Sequence, residues 1–302
     1  MPEGETRKHF ILSRELLPWA VARFASTTKA FKASVLPLEN HVQILLTNDD
    51  GVYAPGLAAL RQRLQSLGNV RLIAPAVEQS GVGHSITFLE PLVCKQIYFG
   101  NELIGTAVEG SPADCVKLGV SVLIDGPVDL VVSGINGGLN AGINVLYSGT
   151  VAAAIEGAFF RLNSFAVSLE YDPQADFTAA AQIAVPLIEQ ILAKKDAPPQ
   201  LYNINIPTVA VEKFRSGQVP EVHIVPMGVE RYGEHYIRRQ DPKGRDYYWA
   251  TNDPPPRRTD HPTDLTMLAD GHVTVTPLMF DMTDTATFAK MAHWKLTVPK
   301  LV

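Results

Sequence analysis

Apolar and polar positions follow two alternating rhythms along this chain. Residues 42–47 form a short apolar run that ends in Asn48-Asp49-Asp50-Gly51, which predicts a strand followed by a loop. Leu57, Leu60, Leu64 and Leu67 then recur at helical spacing behind Pro55, whose ring suits a first helical turn, and Gly68 is placed to stop that helix. Residues 70–74 return to strand character. Ser111-Pro112-Ala113-Asp114 has the pattern of a capping box and predicts a helix to about Leu123. A strand is expected over 130–133, a small-residue helix from Gly149 to about Phe160, and a further strand over 165–169. A helix kinked by Pro186 should span 176–194, and a last strand 201–206.

Strands that alternate with helices at this spacing predict an α/β fold of right-handed βαβ units. The sheet should be mostly parallel and covered on both faces, a three-layer sandwich. Beyond Pro207 the rhythm breaks. Residues 226–265 are polar, aromatic and proline-rich, with Pro254-Pro255-Pro256 as the clearest interruption, and only 273–276 alternates like a strand. The expected organisation is an N-terminal extension over 1–40, a core over 41–225, and an irregular β-rich hairpin or arm over 226–302. No internal repeat is visible.

Composition narrows the function classes. At 302 residues with 46% hydrophobic and 19% charged positions, the chain can bury a sizeable core and is not disordered throughout. Its 26 Lys and Arg stand against 31 Asp and Glu, a net charge of −5 that argues against polybasic binding of a nucleic-acid duplex or a membrane surface, though a local basic groove stays open. No apolar run approaches the roughly 18 residues needed to span a bilayer. Cys94 and Cys115 are too few for a disulfide scaffold and lack CxxC spacing. A soluble, cytoplasmic protein is the expectation. Residues 1–40 show no uninterrupted apolar core of a secretory signal, and Glu3, Glu5 and Glu15 weaken an organellar transit reading, so a flexible extension is expected there.

The candidate chemistry gathers at the carboxyl ends of the expected strands, where an open parallel sheet binds its ligands. Asn48-Asp49-Asp50-Gly51 places two adjacent carboxylates there, whose repulsion a divalent cation such as Mg²⁺ or Mn²⁺ would offset. Alone, the same residues read as a solvated polar turn. Glu78-Gln79-Ser80-Gly81-Val82-Gly83-His84-Ser85 follows the second strand. Its glycines allow backbone N–H groups to converge on an anion, and Ser80 and Ser85 add hydroxyls, although a flexible loop would look the same. Ser133-Gly134-Ile135-Asn136-Gly137-Gly138 leaves the third strand, and Tyr147-Ser148-Gly149-Thr150 enters a helix whose N-terminus could seat a phosphate. The rival there is a glycine turn that serves packing alone. Carboxylates for a cation beside N–H groups for an anion suggest metal-assisted phosphate chemistry.

Several segments follow one another in order: Ile44-Leu45-Leu46-Thr47-Asn48-Asp49-Asp50-Gly51-Val52-Tyr53-Ala54-Pro55-Gly56-Leu57, Ala74-Pro75, Gln79-Ser80-Gly81, Gly110-Ser111-Pro112-Ala113-Asp114-Cys115-Val116, Ser133-Gly134-Ile135-Asn136 and Leu146-Tyr147-Ser148-Gly149-Thr150-Val151-Ala152-Ala153. Together they resemble the SurE family of survival-protein nucleotidases. The resemblance is strong over about 42–170 and continues more weakly through 273–278 and Asp281. It implies a Rossmann-like nucleotidase that hydrolyses nucleoside 5′- or 3′-monophosphates with one divalent cation, often with activity on short polyphosphate. By position its metal ligands fall on Asp49, Asp50, Ser80 and Asn136. Members are commonly dimers or tetramers that exchange C-terminal segments, which here would come from residues 226–302.

Two positions depart from the pattern. Many relatives carry an arginine where this chain has Gln79, and often a histidine where Asp281-Met282-Thr283-Asp284-Thr285 has none; His84 and His293 are the candidates to replace it. The expected site therefore comprises Asp49 and Asp50 as catalytic groups and Asn48, Gly81, Ser85, Gly137, Ser148, Gly149 and Thr150 as substrate or phosphate contacts. A haloacid-dehalogenase-type mechanism with Asp49 as nucleophile is disfavoured because those enzymes space their acids as DxD. A regulatory module that binds nucleotide without turnover is the non-catalytic rival. A Rossmann dehydrogenase is disfavoured because no GxGxxG follows the first strand.

Overall fold

Alternation at single-residue resolution decides the layering. The computed structural model describes residues 42–194, 200–230, 234–252 and 259–298; the extension expected over 1–40 lies outside them. In strand β1 (Gln43–Thr47), Ile44 and Leu46 enter one apolar cluster while Leu45 enters another. The same split recurs in β5 (Leu130–Gly137), where Leu130 and Val132 face one way and Val131 the other. A strand buried on both faces needs apolar residues at every position, and that is why these segments read as continuous apolar runs.

Helices α1 (Pro55–Leu64), α4 (Phe177–Ala193) and α5 (Thr208–Arg215) cover the first face through Leu57, Leu60, Leu64, Ala180, Ala184, Ile188 and Ala210. Helices α2 (Pro112–Leu118) and α3 (Gly149–Phe159) cover the second through Cys115, Val116 and Ala153. The three layers expected from the sequence are present. Leu60 is fully buried in the first cluster, and truncating such a residue to alanine typically costs about 2–5 kcal/mol.

The remaining sheet strands are β2 (Asn69–Pro75), β3 (Cys94–Phe99), β4 (Glu102–Val108), β6 (Asn163–Leu169), β7 (Leu201–Ile206), β8 (Val222–Ile224) and β11 (Val273–Leu278). Their order is β3-β4-β2-β1-β5-β6-β7-β11-β8. From β4 to β7 all neighbours are parallel, whereas β3 pairs antiparallel with β4 and β11 antiparallel with β7. From β1 the chain steps to β2 on one side and later to β5 on the other, so a crevice opens beyond the carboxyl ends of β1 and β5.

Some elements differ from the sequence expectation. The helix that starts at Pro112 gives way to a π-helical turn over Gly119–Leu123, where a Cβ on Gly119 would come within 2.6 Å of Leu45 Cδ1. Helix α4, by contrast, runs over Phe177–Ala193 with Pro186 inside it, close to the span expected. Residues 226–302 divide into two kinds of structure. Strands β9 (Glu234–Gln240) and β10 (Asp246–Asn252) form a separate antiparallel hairpin, whereas β11 enters the main sheet and helix α6 (Asp264–Ala269) packs beside it. A further helix, α7 (Thr285–Met291), has no buried residue. Among the described residues no helix is long and apolar enough to cross a membrane.

Candidate active site

The turn after β1 is built by Asn48 and Gly51. Asn48 is fully buried, and its Nδ2 donates to the Gly51 carbonyl at 3.0 Å. Gly51 adopts φ +97°, a conformation that favours glycine. Two backbone bonds then fasten this turn to the end of β2: Val52 N donates to Pro75 O at 2.8 Å, and Gln79 N to Asp49 O at 2.7 Å. The loop bearing Ser80 and the acidic turn therefore share one frame.

Asp49 is buried, and its Oδ1 accepts a hydrogen bond from the Thr150 hydroxyl at the start of α3. That helix is capped by Ser148, whose Oγ accepts from Val151 N at 3.1 Å. Its positive end faces the carboxylate, which favours the ionised form. Gly149 makes the approach feasible, because a Cβ there would stand 2.8 Å from Asp49 Cβ. Burial nevertheless raises the Asp49 carboxyl above its ordinary range, with the Thr150 hydroxyl opposing the rise. Asp50 is half-buried, and its Oδ2 accepts from Gly137 N at 3.2 Å. Burial first, and the charge of Asp49 second, push Asp50 up to about 6.

Asn136 arrives by way of a distortion in β5. Pairing with β6 shifts register between Ser133 and Asn136, the Gly134–Ile135 peptide is cis, and Gly134 has φ +134°. A Cβ on Gly134 would lie 2.3 Å from Val167 O, so the backbone passes where no other residue fits. Asn136 Nδ2 donates to Gly138 O at 2.6 Å, which leaves Oδ1 as the oxygen free to act as a ligand. Two adjacent acids and an amide oxygen make a hard donor set. Among the described residues no basic side chain forms an ion pair with either acid. Uncompensated carboxylates of this kind fit a divalent cation.

Ser80 is exposed, and its hydroxyl donates to Glu78 Oε1 at 2.6 Å. Gly81 has φ +71° with open space around the position of its missing Cβ. Downstream the same loop is fixed at several points. Gly83 N donates to Tyr147 O at 2.9 Å, and Ser85 contributes its carbonyl, which accepts from Ser111 Oγ at 2.7 Å. Thr87 N and Oγ1 donate to the Asp114 carboxylate, which also closes the capping box of α2 through Ser111 N. His84 Nε2 is 2.9 Å from Glu156 Oε2 on α3, and Lys117 Nζ is 2.9 Å from the other oxygen. His84 is thus engaged with Glu156, and His293 lies in an exposed stretch after α7.

Thr150 and Ser148, expected as phosphate contacts, stand at the start of α3, where the Thr150 hydroxyl donates to Asp49 and Ser148 Oγ accepts from Val151 N. Several supporting residues gave no local signal in the sequence. Asn140 N donates to Asn205 Oδ1 at 2.8 Å and Asn140 Nδ2 to Ser168 Oγ at 2.9 Å, while Asn203 and Asn205 both donate to Asn140 O. This buried network pins the segment after Gly138 to the ends of β6 and β7. Asp264 receives the N–H groups of Gly142, Gly228 and Leu265, tying the 3-10 turn Gly142–Leu146 to residues that follow β8. Burial raises its carboxyl despite those three donors. Only the side-chain oxygens and amides at strand ends, seen together with the fold, could have revealed either group.

The family model for the survival protein SurE matches residues 44–234. The 5′-nucleotidase SurE of Rhodopirellula baltica is 57% identical over 256 residues, which cover 84% of this chain and 99% of that protein. The 5′-nucleotidase SurE of Syntrophobacter fumaroxidans is 41% identical over 84% of this chain and 100% of its own. Among solved structures, the SurE protein from Aquifex aeolicus superposes with a TM-score of 0.71 at 35% identity, covering 83% of this chain and 98% of the other. On this family match and these identities, the chain belongs to the SurE family.

Proposed function

We infer that this chain is a 5′-nucleotidase: a metal-dependent phosphomonoesterase that hydrolyses nucleoside 5′-monophosphates to nucleoside and phosphate. Nucleoside 3′-monophosphates and short polyphosphate form the wider substrate range implied by the family. The names of the relatives support the activity, and one observation carries the metal requirement: Asp49 and Asp50 stand adjacent at the crevice between β1 and β5 with no basic partner among the described residues. Asp49, Asp50 and Asn136 would hold one Mg²⁺ or Mn²⁺, with Ser80 joining once its hydroxyl turns from Glu78. A divalent cation held there lowers the pKa of water and offsets charge on the transferred phosphoryl group.

The chain's own groups do the rest. Thr150 fixes Asp49 by one carboxylate oxygen, so the other would be free to ligate the cation. The attacking water would release its proton to solvent, and the departing sugar oxygen would take one from solvent as the P–O bond breaks. Backbone N–H groups around Gly81, with the Ser85 hydroxyl, would hold the phosphate, while Gly137 N keeps Asp50 in place and Asn48 keeps the acidic turn closed behind it. We also assign association with further copies, as a dimer or tetramer, to residues 226–302. Trp249 on β10 is 61% exposed and Trp294 after α7 is 59% exposed, a large apolar area for a free surface.

The direct test is phosphate release from a panel of 5′- and 3′-monophosphates and tripolyphosphate, with chelator or with added Mn²⁺ or Mg²⁺. Release from 5′-monophosphates that stops with chelator and returns with the cation supports the reading. Tight nucleotide binding with no release under any metal contradicts it. For assembly, light scattering of the full chain against a form lacking residues 234–252 should show a smaller species without the hairpin.

A further inference from the structure

A second group of metal-ligating side chains lies at the far edge of the sheet. Glu221 precedes β8, His223 lies within it, and His272 occupies the turn between α6 and β11. Glu221 and His223 are two residues apart on an extended chain and so project to the same face. Strands β8 and β11 pair in parallel with Val273 opposite Val222, and Val273 N donates to Glu221 O at 3.0 Å, which brings His272 alongside.

The three side chains meet at ligand spacing. Glu221 Oε2 is 3.4 Å from His223 Nε2 and 3.5 Å from His272 Nδ1, and the three ligand atoms all lie within 4.8 Å of one another. Ligands about 2.0–2.1 Å from a tetrahedral Zn²⁺ stand roughly 3.4 Å apart along each edge, close to both separations. His272 Nδ1 is itself buried and has no hydrogen-bond partner among the described residues. Such an atom is costly to leave unsatisfied, and coordination would satisfy it. The cluster is separate from the acidic pair: β8 is five strands from β1, roughly 24 Å at about 4.8 Å per strand.

We propose that Glu221, His223 and His272 form a Zn²⁺-class transition-metal site with three protein ligands and an open fourth position. Two imidazoles select Zn²⁺ over Mg²⁺, in contrast to the all-oxygen donors at Asp49 and Asp50. The bound ion fastens the three-residue strand β8 to the turn before β11, at an edge that otherwise depends on a short ladder. Solvent reaches the site through Glu221, whose side chain is 69% exposed.

The test uses untagged, chelator-treated full chain carrying Asp50→Asn, so that the acidic pair does not compete. Zn²⁺ is titrated by calorimetry at neutral pH with millimolar Mg²⁺ present, and Co²⁺ is used to report geometry by its visible absorption. One equivalent of Zn²⁺, an intense tetrahedral Co²⁺ band and a melting temperature raised by roughly 5 °C at saturating Zn²⁺ are expected. His223→Gln and His272→Ala, each added to Asp50→Asn, should weaken binding at least about tenfold and abolish the band. His223→Gln on the wild-type background should leave hydrolysis with Mg²⁺ unchanged. Equal Zn²⁺ binding in the histidine variants, or none in Asp50→Asn, overturns the proposal. Should His272→Ala fail to fold by circular dichroism, the exposed-edge variant His223→Gln decides alone.

Discussion

The Thr150 hydroxyl donates to Asp49 Oδ1, joining the first turn of α3 to the turn after β1 across 101 sequence positions. Removing one donor from a buried carboxylate costs about 1.5–3 kcal/mol. Thr150→Val keeps the shape and removes only the donor. We expect kcat for nucleotide hydrolysis to fall roughly 10–100-fold in this variant, the rate equivalent of that energy. Steady-state kinetics at saturating cation checks it, and a wild-type kcat would mean that Thr150 does not orient Asp49.

Gly149 gives a steric test of the same contact. An alanine Cβ would stand 2.8 Å from Asp49 Cβ, 3.1 Å from its Oδ2 and 3.2 Å from Pro112 Cγ. Overpacking of this kind costs about 1–3 kcal/mol, and here the strain falls on a catalytic group. Gly149→Ala should fold with a modestly lowered melting temperature and lose at least about tenfold in kcat, a loss that added cation does not restore.

The asparagine network behind the site predicts a stability effect without a change in chemistry. Asn205→Leu removes the acceptor of Asn140 N and one donor to Asn140 O, leaving buried backbone groups short of partners. Each such group costs about 1–3 kcal/mol. Urea unfolding should show destabilisation of about 2–4 kcal/mol, whereas an exposed substitution such as Gln218→Leu should change it little.

Acid stability should depend on Glu156. Burial tends to raise its carboxyl, but His84 and Lys117 outweigh that effect and hold it below the usual 4.5. A lowered folded-state pKa contributes stability that is present above the unfolded value and is lost as pH falls through the folded one. Glu156→Gln should therefore be less stable than wild type at pH 7, by about 1–2 kcal/mol after allowance for the half-exposed Lys117. The gap should close on acidification below pH 4. A gap that stays constant from pH 7 to pH 3 would argue against the charge network.

The sequence exposed the parts of this protein that repeat a physical period. Ile44, Leu45 and Leu46 announce a strand buried on both faces, and Leu57, Leu60 and Leu64 the helix that covers it, so the alternating core was legible. Strands β3 and β4 were not, because Cys94–Phe99 is mostly exposed and carries no alternation strong enough to read. Strand β11 looked like part of an arm because its partner β7 lies about 70 residues earlier, and no local pattern records a pairing of that range. In the site, Asp49, Asp50 and Asn136 were legible as polar residues at strand ends. The partnership of Thr150 with Asp49 was not, since a threonine near a helix start serves a cap, a phosphate or a distant carboxylate equally well. Asn140, Asn205 and Asp264 act through contacts that only the assembled sheet creates.

On the proposed reading, Asp49 and Asp50 together hold the divalent cation on which phosphate release depends. The most direct measurement is phosphate release from a nucleoside 5′-monophosphate by chelator-treated wild type, Asp49→Asn and Asp50→Asn as Mn²⁺ or Mg²⁺ is titrated in, alongside the cation affinity of each protein. We expect cation-dependent release by wild type, and at least about a hundredfold loss in both variants, with weakened cation binding in each. Wild-type release in either variant, or release by chelator-treated wild type without added cation, would contradict it.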